Sequence, residues 1–268
     1  MPMPNKRLGQ HFLTDNNIIH QIIERSGFIG SDFILEIGPG KGALTIPLAK
    51  AVGYVFAVEK DEALAHALKG RLTQLKIDNV EILNADILRF NFREVPVSDR
   101  IKIIGNLPYN ISSPFIEKLI QNRSAVSKAV LMFQLEFANR LVASPGGKEY
   151  GALSILVQYY AKLFSILEVS KDCFYPRPKV GSKVLNFNME RPYSRRAEDE
   201  EFFKKVVRSA FSQRRKTILN SLKGSLTLFS RDNILNALKE CKIDPKRRAE
   251  TLGMDDYLDL ASALREKY

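Results

Sequence analysis

Leu35-Glu36-Ile37-Gly38-Pro39-Gly40-Lys41-Gly42 reads as an apolar strand running directly into a glycine-rich turn. Glycines at alternate positions let the backbone bend tightly and come close to a ligand, and residues 43–51 then have helical character. Strand, glycine turn and helix in that order open a doubly wound sheet. Outward from this unit, apolar β-rich runs at 54–58, 80–83, 101–104 and 129–133 alternate with amphipathic segments. A helix at 151–161 is followed by two further strand-like runs, 164–169 and 184–188. The Pro-rich loop between these last two leaves no room for a crossover helix, so they are expected as an antiparallel pair at the sheet edge. The expected fold is α/β and Rossmann-like, with a seven-stranded mixed sheet.

After Glu190 the pattern changes. Arg191-Pro192 interrupts it, and residues 202–268 have helical periodicity with no strand-like run, which predicts a small C-terminal all-α domain. The expected division is therefore 1–190 and 191–268. In the second part Val206, Val207, Ala210 and Phe211 form a core stripe, leaving Arg208, Arg214, Arg215 and Lys216 on the opposite or terminal side.

The formal net charge of the 268 residues is +11 with a pI near 9.6, and a polyanion is the simplest partner for such an excess. RNA, DNA and anionic membranes all qualify. No apolar run approaches the roughly 20 residues of a membrane span, and Met1-Pro2-Met3-Pro4 leads into charged residues instead of a signal-peptide core. A cytoplasmic protein without membrane attachment is expected. Cys173 and Cys241 form no C-x-x-C pair and read as two reduced, buried thiols. With His11, His20 and His66 scattered, neither a metal centre nor a Ser-His-Asp triad is expected.

The glycine loop alone does not identify its ligand. Gly38-x-Gly40-x-x-Ala43, with Glu59 further on to hold ribose hydroxyls, also satisfies the permissive dinucleotide fingerprint. Two acids favour S-adenosylmethionine over NAD: Glu36 just ahead of the loop, and Asp86 in Asn84-Ala85-Asp86-Ile87 at the end of the third strand, placed to accept from an adenine amino group. A sulfonium ligand also carries no pyrophosphate and does not need the phosphate-binding helix terminus. Viewed singly, Glu59 and Asp86 have a less favoured alternative as solvated acids at strand ends, and the ordered set argues further against it.

Asn106-Leu107-Pro108-Tyr109 follows the fourth strand and suits the amino group of a planar nitrogen heterocycle, above all N6 of adenine. That nitrogen is a poor nucleophile because its lone pair is delocalised into the ring. The Asn106 side-chain oxygen and the Leu107 carbonyl are acceptors that draw its N–H bonds out of plane. Pro108 fixes the backbone, and Tyr109 offers a flat face to the base. A strand followed by a proline turn is the plain alternative.

With these residues in place the chain resembles, over nearly its whole length, the KsgA-type small-subunit rRNA adenine dimethyltransferases. The resemblance rests on Lys6-Arg7-Leu8-Gly9-Gln10-His11-Phe12-Leu13, the 36–42 loop, Asn106 to Tyr109 with Asn110-Ile111-Ser112, and Phe174-Tyr175-Pro176-Arg177-Pro178-Lys179-Val180. In the tail it extends to Ala210-Phe211-Ser212-Gln213-Arg214-Arg215-Lys216-Thr217 and Asp244-Pro245-Lys246-Arg247-Arg248-Ala249-Glu250. It implies a class I S-adenosylmethionine-dependent fold and transfer of two methyl groups to N6 of each of two adjacent adenosines in the 3′-terminal hairpin loop of small-subunit rRNA. The substrate would be the small subunit or its precursor, with a role in subunit biogenesis; a monomer is the default expectation for the chain.

By the same resemblance Gln10, His11 and Leu13 close over the donor. Gly38 and Gly40 contact it, Glu59 binds its ribose, and Asp86 with Ile87 meets its adenine. Asn106 lies beside donor and target. Tyr109 and Phe174 are expected to sandwich a base turned out of its stack, with an edge-of-core aromatic as the equal alternative for Phe174. By their own chemistry Arg214, Arg215, Lys216, Arg247 and Arg248 suit rRNA phosphates, although each charge viewed singly reads first as part of a solvated helix face. Two residues depart from the pattern: His11 stands where many relatives carry Asn, and the charge of Lys41 would be unhelpful beside a cationic sulfonium unless it points to solvent or to RNA phosphate. The rival readings are a large-subunit rRNA or DNA adenine methyltransferase, an assembly factor without chemistry, and an NAD-dependent oxidoreductase.

Overall fold

A computed structural model describes residues 9–95, 97 and 100–267, so Lys6, Arg7 and Leu8 of the N-terminal motif lie outside the described residues. The chain forms two compact units, Met1–Ala138 with Leu163–Glu190, and Asn139–Lys162 with Arg191–Tyr268.

The first unit is built on a seven-stranded sheet. Its strands are β2 (Phe33–Ile37), β3 (Tyr54–Glu59), β4 (Val80–Asn84), β5 (Ile101–Asn106), β6 (Val126–Gln134), β7 (Lys162–Val169) and β9 (Ser182–Asn188), in the order β4-β3-β2-β5-β6-β9-β7. β1 (Phe12–Leu13) and β8 (Phe174–Tyr175) form a separate antiparallel ribbon, which the sequence did not announce. β4 through β6 are parallel, and β9 runs antiparallel to β6. The two last strand-like runs of the sequence are neighbours at the edge, with β7 outermost. The sheet is thus the mixed, Rossmann-like one expected.

β2 occupies the centre because Ile34, Leu35 and Ile37 are at most 1 % exposed, as a strand covered on both faces requires. β5 packs closely beside it. A Cβ at Gly105 would lie 3.0 Å from both the Cβ and the carbonyl oxygen of Ile37, a tight contact that any larger residue would have to relieve by shifting β2. Around the sheet lie α1 (Asn16–Ser26), α2 (Thr45–Ala49), α3 (Glu62–Gln74) and α4 (Ser112–Gln121). α1 starts at Asp15, whose carboxylate accepts from Ile18 N, and stops at Gly27 in the left-handed region. α2 is shorter than the expected 43–51, because the glycine turn continues to Leu44. α5 (Leu135–Leu141) leads from one unit into the other.

The second unit contains α6 (Ala152–Tyr160), α7 (Glu200–Ala210), α8 (Ile218–Ser225), α9 (Arg231–Glu240) and α10 (Met254–Arg265). Its grouping of Asn139–Lys162 with the tail differs from a cut at 190. The reason is local: Tyr159 and Tyr160 are buried, their hydroxyls donate to the Glu200 carboxylate, and Arg196 lies 4.0 Å from the Tyr159 ring. On α7 the buried stripe is Phe203, Val206, Val207 and Ala210. Phe211 is only half-buried at the helix end, against Tyr257. Cys173 and Cys241 are free but partly exposed, so neither is the fully buried thiol expected. No helix among the described residues is long and apolar enough to cross a membrane.

Candidate active site

The parallel strands β2, β3, β4 and β5 end on one side of the sheet, and their carboxyl ends border a cleft where the strand order switches between β2 and β5. Of the thirteen residues expected at donor and target, Gln10, His11, Leu13, Gly38, Gly40 and Glu59 line it. So do Asp86, Ile87, Asn106, Leu107, Pro108 and Tyr109.

The glycine loop forms one wall. Gly38 and Gly40 have φ of 64° and 56°, values that L side chains rarely adopt, and Gly38 N donates to Val58 O at 3.0 Å. Gly40 N donates to Glu59 Oε2 at 3.0 Å, while Asp61 N donates to Glu59 Oε1 at 2.9 Å. Glu59 is thereby locked at the tip of β3, with lone pairs left for a ligand hydroxyl. Burial holds its carboxyl above the ordinary value, although the N–H groups of Asp61 and Gly40 pull the other way.

Glu36 is 1 % exposed and lines the same cleft. Burial, with a smaller contribution from the nearby Glu59 charge, pushes its carboxyl up to about 8 even though Thr45 stands alongside. Neither Glu36 Oε2 nor Thr45 Oγ1 completes a hydrogen bond with the described residues. A buried acceptor without a partner is costly, and a cationic or donor group in the cleft would satisfy it.

At the tip of β4, Asp86 Oδ2 accepts from Lys60 Nζ at 2.9 Å, and Oδ1 accepts from Leu88 N at 3.0 Å. The Lys60 ammonium, ahead of the Leu88 N–H, holds this carboxyl below its usual range. Lys60 is a cleft residue that motif reading missed. It directly follows Glu59, and its partner lies 26 residues on. Lys41 also lines the cleft. Its ammonium sits 4.8 Å from the centre of the Phe12 ring, whose face attracts cations.

The opposite wall is the Asn106 turn. Asn106 Nδ2 donates to the His11 carbonyl at 3.1 Å. A carbonyl only accepts, so the nitrogen must face it and Oδ1 must face away. Leu107 N donates to Met132 O, which anchors the turn to β6. Pro108 has φ −55° and ψ 140° and starts the short 3-10 turn Tyr109–Ile111. The Tyr109 ring stacks on the His11 imidazole, with centroids 5.5 Å apart and planes 28° apart. Burial raises the Tyr109 hydroxyl's pKa, and a hydrogen bond with Ser182 acts in the opposite direction. His11 Nδ1 lies 2.7 Å from the Pro176 carbonyl and therefore carries the proton. One residue thus positions two others, Asn106 through its main chain and Tyr109 through its ring.

Phe174 is not brought to this cleft. It is 5 % exposed and packs in the core with Leu13, its partner across the β1–β8 ribbon. Tyr175, the next residue, is 58 % exposed. In a strand neighbouring side chains point to opposite faces, so the ribbon buries one aromatic and displays the other.

In the second unit the two basic runs of the tail converge, because Ile218 N donates to Arg247 O at 2.7 Å. Arg215, Lys216 and Arg248 are exposed there. The other two are engaged locally. Arg247 donates to Thr251 Oγ1 and to Thr251 O, and Arg214 donates to Lys148 O and lies 3.6 Å from Glu250.

Residues 3–266 match the model of the family described as ribosomal RNA adenine dimethylase. The chain is 45 % identical to the ribosomal RNA small subunit methyltransferase A of Desulforapulum autotrophicum, covering 98 % of this chain and 92 % of that protein. Among solved structures it resembles a dimethyladenosine transferase from Plasmodium falciparum, with a TM-score of 0.80 and 29 % identity over 96 % of this chain and 98 % of the other. It also resembles the 23S rRNA methyltransferase ErmE, with a TM-score of 0.73 and 25 % identity over 95 % and 99 %.

Proposed function

The chain belongs to the ribosomal RNA adenine dimethylase family, and from that premise we propose that it transfers methyl groups from S-adenosylmethionine to N6 of two adjacent adenosines in the 3′-terminal hairpin loop of small-subunit rRNA. The observation that carries the chemistry is the orientation of Asn106, whose side-chain oxygen is turned away from His11 by the bond its nitrogen makes. The small-subunit target rests on the 45 % identity to a small-subunit enzyme, against 25 % to a large-subunit one.

The donor set fits S-adenosylmethionine. Glu59 is fixed to accept from ribose hydroxyls, Asp86 to accept from an adenine amino group, and the unpartnered Glu36 oxygen calls for the cationic end. The donor supplies a methyl group on a sulfonium centre, which needs no metal for its transfer. The protein contributes alignment and a polar environment set before the reaction. The Asn106 oxygen and the Leu107 carbonyl accept from the target amino group, so its lone pair leaves conjugation with the ring. Tyr109, held by His11, supports the base. The first transfer leaves a nitrogen that is cationic and acidic, and its proton can pass to water without a strong base. The second transfer meets only one N–H, so one acceptor goes unused while the same pocket admits the methyl already present.

We further assign recognition of the rRNA backbone to the helical unit through Arg215, Lys216 and Arg248, with Arg214 and Arg247 supporting that surface. Modification during cytoplasmic maturation of the small subunit, or of its precursor, follows from this substrate. The test is labelled methyl transfer to undermethylated small subunits, with large subunits and DNA as controls, and mass spectrometry of the product. Dimethyladenosine at adjacent positions of the terminal hairpin is expected. Labelling of large subunits instead would overturn the target, and donor binding without transfer would indicate an assembly factor.

A further inference from the structure

A second cleft in the first unit adjoins the active site, and Phe12, Leu13, Lys41 and Ala43 line both. Ile19, Ile23 and Ile46 give it an apolar lining. His20, Lys41, Lys50 and Arg71 bring basic groups to it, and no Asp or Glu among the described residues lines it. Arg71 is committed to the glycine loop through its bond to Lys41 O, and Lys41 lies against Phe12. His20 and Lys50 are exposed and make no side-chain hydrogen bond or ion pair with the described residues. Tyr175 completes the cleft. Its register opposite Phe12 puts both aromatic rings on the ribbon face turned away from the core, where Leu13 and Phe174 are buried.

An exposed ammonium without carboxylates suits phosphate, and an exposed phenol ring beside it suits a stacked base. An RNA strand whose target adenosine sits at Tyr109 meets this cleft across the shared Phe12 and Lys41 wall. We propose that the cleft receives the single-stranded RNA next to the target adenosine, its base stacking on Tyr175 and its phosphate pairing with Lys50. The inference rests on the reading of the active site as one for an RNA adenine. It adds a track that keeps the second adenosine ordered while the first is methylated. Base identity is not read there, since every base has a face to stack.

The test uses the full chain and a hairpin RNA ending in the target loop, with Lys50→Glu, Lys50→Arg, Tyr175→Ala and Tyr175→Phe. The measurements are RNA affinity as a function of salt, donor affinity, and methyl transfer by the wild type in the same series. Lys50→Glu and Tyr175→Ala are each expected to weaken RNA binding about ten-fold with donor affinity unchanged. Lys50→Glu should also flatten the salt dependence by about one phosphate contact. Lys50→Arg and Tyr175→Phe should restore near-wild-type binding. Unchanged RNA affinity in both disruptive variants, with the wild type still methylating RNA, would overturn the track and leave the activity standing. Equal loss of donor and RNA binding would mark a structural role and also overturn it. If the wild type transfers no methyl group to RNA, the underlying reading fails and the track with it.

Discussion

Asn106 Nδ2 donates to the main-chain carbonyl of His11 across 3.1 Å, and this bond decides which end of the amide faces the target. Because the acceptor is a main-chain atom, the orientation does not depend on the side chain at position 11. That side chain has other contacts: its ring stacks on Tyr109, and its Nδ1–H donates to Pro176 O. His11→Ala should therefore weaken RNA and donor binding by roughly five-fold each, the value of one hydrogen bond or ring contact, while the single-turnover rate at saturation changes less. Single-turnover kinetics over a range of both substrates would check the split.

Glu36 is predicted to make the unliganded protein less stable as pH rises. Its carboxyl is held near 8 when folded, mainly by burial, and has an ordinary value of 4.5 when unfolded. Between these values the folded state binds more protons than the unfolded one, so this contribution is fully present below about pH 4.5 and lost as pH rises through 8. Thermal unfolding from pH 5 to 8 should show a decline that Glu36→Gln removes. An equal decline in the variant would show that Glu36 is not its source.

Glu59 joins two backbone N–H groups, one from the glycine loop and one from the start of α3. In Glu59→Gln, one acceptor becomes an NH2 group facing an N–H, and the loop loses its brace. Donor affinity measured by calorimetry should fall at least ten-fold, consistent with about 1.5–3 kcal/mol for a hydrogen bond to a charged group. The melting temperature should fall as well.

The basic residues of the helical unit should separate into two kinds. Arg247→Ala removes its bonds to Thr251 and should destabilise the protein by about 1–2 kcal/mol in denaturant titrations. The double variant Arg215→Ala with Arg248→Ala should leave stability within about 0.5 kcal/mol of wild type. It should reduce the salt dependence of rRNA binding by about two phosphate contacts.

Much of this arrangement was legible in the sequence because it depends on local order along the chain. The β2 strand, its glycine loop and the acids at the tips of β3 and β4 follow one another as a doubly wound fold requires, and the Asn106 turn directly follows β5. What escaped the sequence depends on pairings between distant segments. Spacing does not tell which of Phe174 and Tyr175 faces outward. That is settled by a two-residue ribbon with Phe12 and Leu13, more than 150 positions away, and it buries the aromatic expected at the site. The Lys60–Asp86 pair, the cradle of Lys41 on Phe12 and the union of the 214–216 and 247–248 runs are of the same kind. So is the place of α6, whose tyrosines are claimed by Glu200 at the start of α7.

The central claim is that the Asn106 oxygen acts on the target nitrogen and not on donor binding. Its most direct test is the single-turnover rate of Asn106→Ala on undermethylated small subunits, measured beside donor affinity in the same preparation. The account predicts a rate lower by about 10²–10³-fold, typical of removing one preset polar group at a reacting centre, with donor affinity within about three-fold of wild type. Turnover close to wild type, or a fall explained entirely by lost donor binding, would contradict it.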